Sequence, residues 1–396
     1  NSSRPLEISE GLPLAVGFEK GPVPALSMTP PKTFLEKLIS PSALMAFIFA
    51  LMAGALFTSN KWYSKGRDSW LKGGFLNDPT AKEEIKPIGA HETIAVEFDP
   101  PEKLRPAELG TLMDERADTL DVSATIIDLA SRGFLTIKEN DKNWTFGKSD
   151  YMLTRKNKDT AELLNYESLL LDKLFGSETE VKLSELKNKF YSDLAKVKEA
   201  LYEDVVDKKL FPTNPEKVRG NYLILGILMT IAAAGAMFLG GSISNGIIFM
   251  LGAGLMLPSI SMIFFARFMS RRTAKGREIY RRAKGYELFL SKAEKYRQQF
   301  FERKNLFNEI LPYTIVLGLT EKFAKAFKEL GLPNPKPTWY TGTHPFNPVS
   351  FGHSVNIFSS SLSSSISSSL FSRSQSALHA SHSDLPHSQL ASRSVL

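Results

Sequence analysis

The sequence predicts a membrane protein, mainly α-helical with small β wings. It has three transmembrane helices, a winged-helix-like cytoplasmic α+β domain and C-terminal helices. Three observations predict this. Three apolar stretches carry no charged side chain in their cores and are long enough, or nearly so, to cross a bilayer. Between the first and second lie two helical patterns followed by short alternating strands. After the third comes a run dense in Arg and Lys whose apolar residues keep helical spacing.

Residues 1–40 start at Asn1, are rich in Pro and Gly, and lack the basic start and cleavage site of a signal peptide. They read as an extracytoplasmic linker, the remnant of something larger. The first span is placed at 41–60, around "SALMAFIFALMAGALFT", with Ser40-Pro41 as cap and first-turn proline. Its seventeen uncharged residues cover about 26 Å of a ~30 Å hydrocarbon core, and Ile39, Trp62 and Tyr63 extend it to the interfaces. The second span is 221–240 and the third 246–268, joined by "GSISN", which allows only a tight hairpin. Ala232, Ala236, Gly252 and Gly254 are the small residues expected to let helices approach. Pro258 is expected to kink the third helix.

Basic residues set the orientation. Lys61, Lys65, Arg67 and Lys72 follow the first span, and Lys208, Lys209, Lys217 and Arg219 precede the second. Arg267, Arg271, Arg272 and Lys275 follow the third, while the hairpin is uncharged. The N-terminus is therefore expected outside a bacterial cytoplasmic membrane, with 60–220 and 269–396 in the cytoplasm. No ionisable residue lies in the three apolar cores, which argues against a monomeric transporter.

Within 61–220, Pro106 should start a helix running to Glu115, and Asp118 or Asp121 should cap the next, which carries Val122, Ile126, Ile127, Leu129 and Ala130. Gly133 is the expected left-handed stop. "FLTIKE", "NWTF" and "DYMLTR" come next as strands, with turns at Asn140-Asp141 and Gly147-Lys148. A second unit then reads as a helix with Leu163, Leu170 and Leu174 on one face and Gly176 as its stop. After it come a strand "TEVKL", a cap at Ser184, and a stripe of Leu194, Val197, Leu201 and Val205. "LASRGFLT" and "VDKKLFPT" look like equivalent helix-to-strand junctions of a duplicated module.

A helix that reads DNA needs basic and amide side chains toward base edges and phosphates. Residues 108–140 instead carry Glu108, Asp114, Glu115, Asp118, Asp121, Asp128 and Glu139 against Arg116, Arg132 and Lys138. Protein contact is the favoured role for the module, with a membrane-tethered DNA-binding regulator as the alternative.

Region 269–340 is read as cytoplasmic, basic and helical. Ile279, Ala283, Tyr286, Leu290, Ala293 and Phe300 form its apolar side. Arg267, Arg271, Arg272 and Lys275 are the candidate membrane-surface contacts, each cation worth ~1 kcal/mol near anionic headgroups. The plain alternative is a solvated face that satisfies the positive-inside rule. "FNEILPYTIVLGLTEKFAKAFKELG" should continue as helix, buried against the one before it, until Gly331 and Pro333. Residues 341–396 read as a Ser-rich disordered tail that contains His379, His382 and His387.

With no cysteine, disulfides, Cys-zinc sites and thiol nucleophiles are excluded. The net charge of +7 is modest, and the 43% hydrophobic content is ample for a core. No phosphate loop, metal-spaced His/Glu cluster or nucleophile elbow occurs, so no catalytic, cofactor-binding or metal residue is assigned and no enzyme is expected. The expected partners are the lipid bilayer and a protein.

The segments "PAELGTLMDERADTLDVSATIIDLASRGFLTIKE", "RRTAKGREIYRRAKGYELFL" and "RKNLFNEILPYTIVLGLTEKFAKAFKELG", in this order, resemble the YciQ-like predicted membrane proteins of bacteria. "WYTGTHPFNPVSFGHSVNIFSSSLSSS" fits their ending, although Ser stands where relatives often have Gly. The resemblance extends from about residue 40 to about residue 370. It implies an extracytoplasmic β-rich domain ahead of the first span, absent from this sequence, and it brings no catalytic residues with it.

Overall fold

The computed structural model describes residues 32–71, 83–90, 92–140, 150–186, 190–292, 306–329 and 337–342. Most of the expected linker, Asp141, the "NWTF" strand with the Gly147-Lys148 turn, Ala293, Phe300, Gly331, Pro333 and residues 343–396 with their three histidines lie outside the described residues. In chain order the elements begin with α1 (Phe34–Leu38), α2 (Pro41–Lys65), β1 (Ser69–Leu71) and β2 (Glu83–Ile85). Then come α3 (Pro106–Asp114), α4 (Thr119–Ser131), β3 (Leu135–Asn140), β4 (Asp150–Arg155), α5 (Asn165–Phe175), β5 (Glu180–Lys182) and α6 (Tyr191–Asp207). The chain continues through α7 (Pro215–Ser242), α8 (Gly246–Phe265), α9 (Ala274–Ser291), α10 (Leu306–Val316), α11 (Thr320–Glu329) and β6 (Tyr340–Thr341).

Helices α2, α7 and α8, the last prolonged to Phe268 by a 3-10 turn, are long and apolar enough to cross a membrane. Their outer faces stay uncovered by protein: Phe49 is 70% and Phe238 75% exposed. Such an apolar surface is opposed by water and covered at no cost by lipid. Helix α8 lies in the middle, with α7 along one side and α2 along the other. The contact with α7 runs through Gly226, Ala233 and Gly240, all buried and seven residues apart. A Cβ on Gly226 would lie 2.7 Å from Ile263 Cγ1, and one on Gly252 2.6 Å from the Ala233 carbonyl oxygen. The small-residue seam is thus one residue out of register with the sequence reading, because Ala232 is exposed and Ala233 is buried. Gly254 faces α2 instead, near Phe47 and Ala50. Pro258 sits inside one continuous helix with its ring against Gly54.

Helices α3–α6 and α9–α11 and the four-stranded sheet share one hydrophobic core. It takes in Leu109, Ile126, Phe134, Leu153, Tyr166, Leu201 and Phe211 from the segment between the first two spans. It also takes in Tyr286, Phe289, Phe307, Phe323 and Trp339 from the segment after the third. Regions 61–220 and 269–340, set apart in the sequence reading, therefore bury their apolar faces against each other. The sheet order is β5-β4-β3-β6: β3 pairs with β4 and β4 with β5 antiparallel, and β6 joins β3 in parallel from the far end of the chain.

Several local expectations hold at the level of single atoms. The Asp118 side chain accepts from Leu120 N and Asp121 N, while Asp121 Oδ2 accepts from Asp118 N (2.9 Å), so both candidate caps of α4 act together. Gly133 has φ +84°. Leu194, Val197, Leu201 and Val205 are buried. Others are corrected. Ser184 does not cap a long helix; its Oγ donates to Asp150 Oδ2 (2.6 Å), and α6 begins only at Tyr191. The expected continuous helix after 306 breaks at Gly318, φ +66°. Helix α10 packs on α4 and α3 more than on α9. Its Phe307, Ile310, Leu311 and Ile315 are all buried, and Tyr313 donates to the Leu104 carbonyl (2.8 Å).

The two proposed junctions end their helices identically. Gly133 N donates to Ala130 O and Phe134 N to Leu129 O; Lys209 N donates to Val206 O and Leu210 N to Val205 O, with Lys209 at φ +59°. A cation at each cap bridges two acids. Arg132 reaches Asp128 (2.9 Å) and Glu167 (2.5 Å), and Lys208 reaches Asp204 (3.2 Å) and Glu108. Glu108 and Glu167 in turn occupy the same third position of α3 and α5, accepting from Arg105 N and Leu164 N. Beyond the stop the two paths diverge: Phe134 enters a strand, whereas Leu210 runs on toward α7.

Candidate functional site

Three helix ends meet at one end of the apolar bundle. Helix α2 stops at Lys65, with Gly66 N donating back to Trp62 O (2.9 Å). Helix α7 starts at Pro215, where Asn214 Oδ1 accepts from Glu216 N (2.9 Å). Helix α8 passes through its 3-10 turn into Met269-Ser270-Arg271, and Thr273 then caps α9 by accepting from Gly276 N (2.9 Å). The opposite end holds the α7–α8 hairpin and α1, where Phe34 meets Phe249 edge to face at 5.6 Å.

Arg272, only 7% exposed, is the hub of the first end. Its Nε and Nη2 donate to Leu112 O (2.9 and 2.8 Å), and Nη2 also to Met113 O (3.0 Å), which satisfies the carbonyls left free at the end of α3. Its Nη1 donates to Glu115 Oε1 (2.6 Å) and Asp68 Oδ2 (3.4 Å), and its backbone N to Asp68 Oδ1 (2.8 Å). The guanidinium lies 4.2 Å from the centre of the Tyr280 ring. Glu115, held at φ +67°, also accepts from Ser270 Oγ, and its carbonyl accepts from Arg219 Nη1 (2.8 Å). One guanidinium thus joins the segment after the first span, the end of α3 and the segment after the third span.

The network continues outward. Arg277 donates to Asp68 (3.2 Å) and Glu92 (2.6 Å), and Lys86 donates to the same Glu92 oxygen (3.0 Å). Burial pushes the Glu92 carboxyl up, but hydrogen bonds and charge from Arg277 and Lys86 outweigh it and leave it below the ordinary range. Lys275 Nζ donates to Lys208 O (3.1 Å) and Thr273 N to Leu210 O (3.1 Å), so the start of α9 is clipped onto the end of α6.

Two clefts flank the hub. The first, about 530 Å³, is lined by Trp62, Asp68, Asp114, Glu115, Arg116 and Arg267 among others. Burial, reinforced by the charge of Asp118, raises Asp114 in it to about 6. The second, about 500 Å³, lies between Lys65, Thr213, Asn221, Tyr222 and Arg271. Among the described residues no group of three His, Cys, Asp or Glu side chains could hold a metal. What the hub does chemically is to hold: buried charges with a full set of partners fix two segments in one geometry.

The four candidate membrane contacts part company here. Arg267 is exposed, its guanidinium 5.1 Å from the Phe268 ring, and opens on the first cleft. Arg271 is half-buried and opens on the second. Lys275 is half-buried against α6. Arg272 is withdrawn from any membrane surface, because its donors are all directed at protein acceptors. Sequence reasoning missed Asp68, Glu92, Glu115 and Lys65 as members of this site. The available signal was Asp68 itself, one acid set among Lys61, Lys65, Arg67 and Lys72 in a flank that topology alone would leave basic.

The family model described as "Predicted membrane protein (DUF2207) C-terminal domain" matches residues 93–327. No curated protein and no solved structure matches the chain. The match begins one residue after Glu92 and runs through α3, the junction hub and the last two apolar helices into α11. Matched over more than half its length, the chain belongs to the DUF2207 family of predicted membrane proteins and carries that family's C-terminal domain.

Proposed function

We propose that this protein is a non-enzymatic scaffold or signal relay of a bacterial cytoplasmic membrane, with its N-terminus outside. Its winged-helix-like module, α3 to α6 with the sheet, makes protein contacts close to the membrane surface. The observation that carries this reading is the Arg272 hub. A change in the packing of the spans reaches the module through a buried, fully partnered guanidinium instead of a flexible linker. The burial of every residue from Asp121 to Ala130 supports protein contact over DNA reading, since α4 has no free face to lay in a groove.

The test is photo-crosslinking in cells from exposed positions on β5, Glu180 and Lys182, in the full chain. The expected result is a discrete protein adduct that changes when Arg272 is replaced by Met. Binding of duplex DNA by the detergent-purified chain, falling steeply with salt, would instead establish the tethered regulator.

A further inference from the structure

We propose that the second cleft, between the end of α2, the start of α7 and the Met269–Arg271 turn, binds the phosphate of an anionic glycerophospholipid. This rests on the reading that α2, α7 and α8 span a membrane. The cleft lies at the depth where headgroups sit. Helix α2 passes there from Phe57 to Lys61 and Lys65, and α7 passes from Lys217 and Arg219 to Tyr222 and an apolar run.

Charge then selects the ligand. Among the described residues that line the cleft, Lys65 and Arg271 are the charged ones and none is Asp or Glu. Three neighbouring cations are occupied: Arg272 by Asp68 and Glu115, Arg219 by the Glu115 carbonyl, Lys217 by Glu199. Among the described residues, the side chains of Lys65 and Arg271 have no hydrogen bond or ion pair at all. Two unneutralised cations from different segments, facing one space, form a site for a phosphate, which takes the planar guanidinium on one side and the ammonium on the other. Thr213, Asn221 and Tyr222 add polar groups. The volume of about 500 Å³ suits a headgroup. Pro215, Val218 and Met269 form an apolar wall leading to the uncovered faces of α7, where Ile224 is 57% exposed, a path for acyl chains. The first cleft sets Asp68, Asp114 and Glu115 against Arg116, Arg267 and Arg272, so it offers the same group no net positive charge.

The experiment titrates the full chain, purified in a neutral detergent, with short-chain phosphatidylglycerol, phosphatidylcholine of the same chains, and inorganic phosphate, reading the unfolding midpoint. Phosphatidylglycerol should raise the midpoint saturably and phosphatidylcholine should not. Lys65→Gln with Arg271→Gln should weaken that affinity about thirtyfold, and Lys65→Arg with Arg271→Lys should keep it within a few-fold. Equal responses to the two lipids, or wild-type affinity in the Gln pair, would overturn the proposal. Inorganic phosphate binding as tightly as the lipid would overturn the lipid assignment in favour of a soluble phosphate. Carbonate washing of membranes separates the two levels. Release of the chain removes the spanning reading, whereas a retained chain without lipid discrimination removes only the cleft.

Discussion

Arg272 shows how much a single side chain can organise when its donors find acceptors on two other segments of the chain. Replacing it with Ala leaves Asp68 and Glu115 facing each other in a half-buried space and frees two helix-end carbonyls. The expected loss is about 3–5 kcal/mol, seen as a lowered unfolding midpoint in detergent. Lys in its place keeps the charge without the fork and should recover only part. An unchanged midpoint in the Ala variant would remove Arg272 as the hub. Acid–base behaviour offers a second residue-scale test at Asp128. Burial, opposed by Arg132 and assisted by Glu167, raises it from 3.8 to about 6. A carboxyl whose folded value is raised favours folding fully below its unfolded value and loses that contribution as pH climbs to the folded value. Relative to Asp128→Asn, the wild type should therefore lose stability as pH rises from 3.8 to about 6. A flat difference between their pH–stability curves would contradict the raised value.

At the scale of elements, the same helix stop occurs twice with different residues at the left-handed position, Gly133 and Lys209. Gly133→Ala should cost about 1 kcal/mol, and Lys209→Gly should be neutral or stabilising by up to ~1 kcal/mol, both readable in thermal unfolding. The opposite order would mean that the two stops are not equivalent. The α7–α8 seam makes a register-specific prediction. Ala233→Leu must force the helices apart at the Gly252 contact and should cost about 1–3 kcal/mol. Ala232→Leu, one residue away on the exposed side, should leave the unfolding midpoint almost unchanged.

For the whole molecule, the proposed orientation is testable because the chain has no cysteine of its own. A single cysteine at Ser242, in the hairpin, should react with an impermeant thiol reagent on intact cells. One at Glu180 should react only after permeabilisation. The reverse pattern would invert the topology. Shared burial also makes the segment after the third span necessary for the module between the first two. Tyr286, Phe289 and Trp339 fill a core whose other walls are α3, α4 and β3.

Local sequence was enough for the three apolar helices within a few residues, the stops at Gly133 and Gly176, an aspartate cap of α4 at Asp118 or Asp121 and the strand alternation of β3 and β4. Each rests on neighbours along the chain: a run without charge, a residue that tolerates positive φ, a side chain reaching its own first turn. Which small residue of α7 meets α8 is settled by packing alone, since a rotation of one residue leaves the composition unchanged. Packing also placed α10 on α4 and separated buried Arg272 from open Arg271. Adjacent arginines read alike in a sequence, but the acids that claim one of them, Asp68 and Glu115, lie 204 and 157 residues away along the chain.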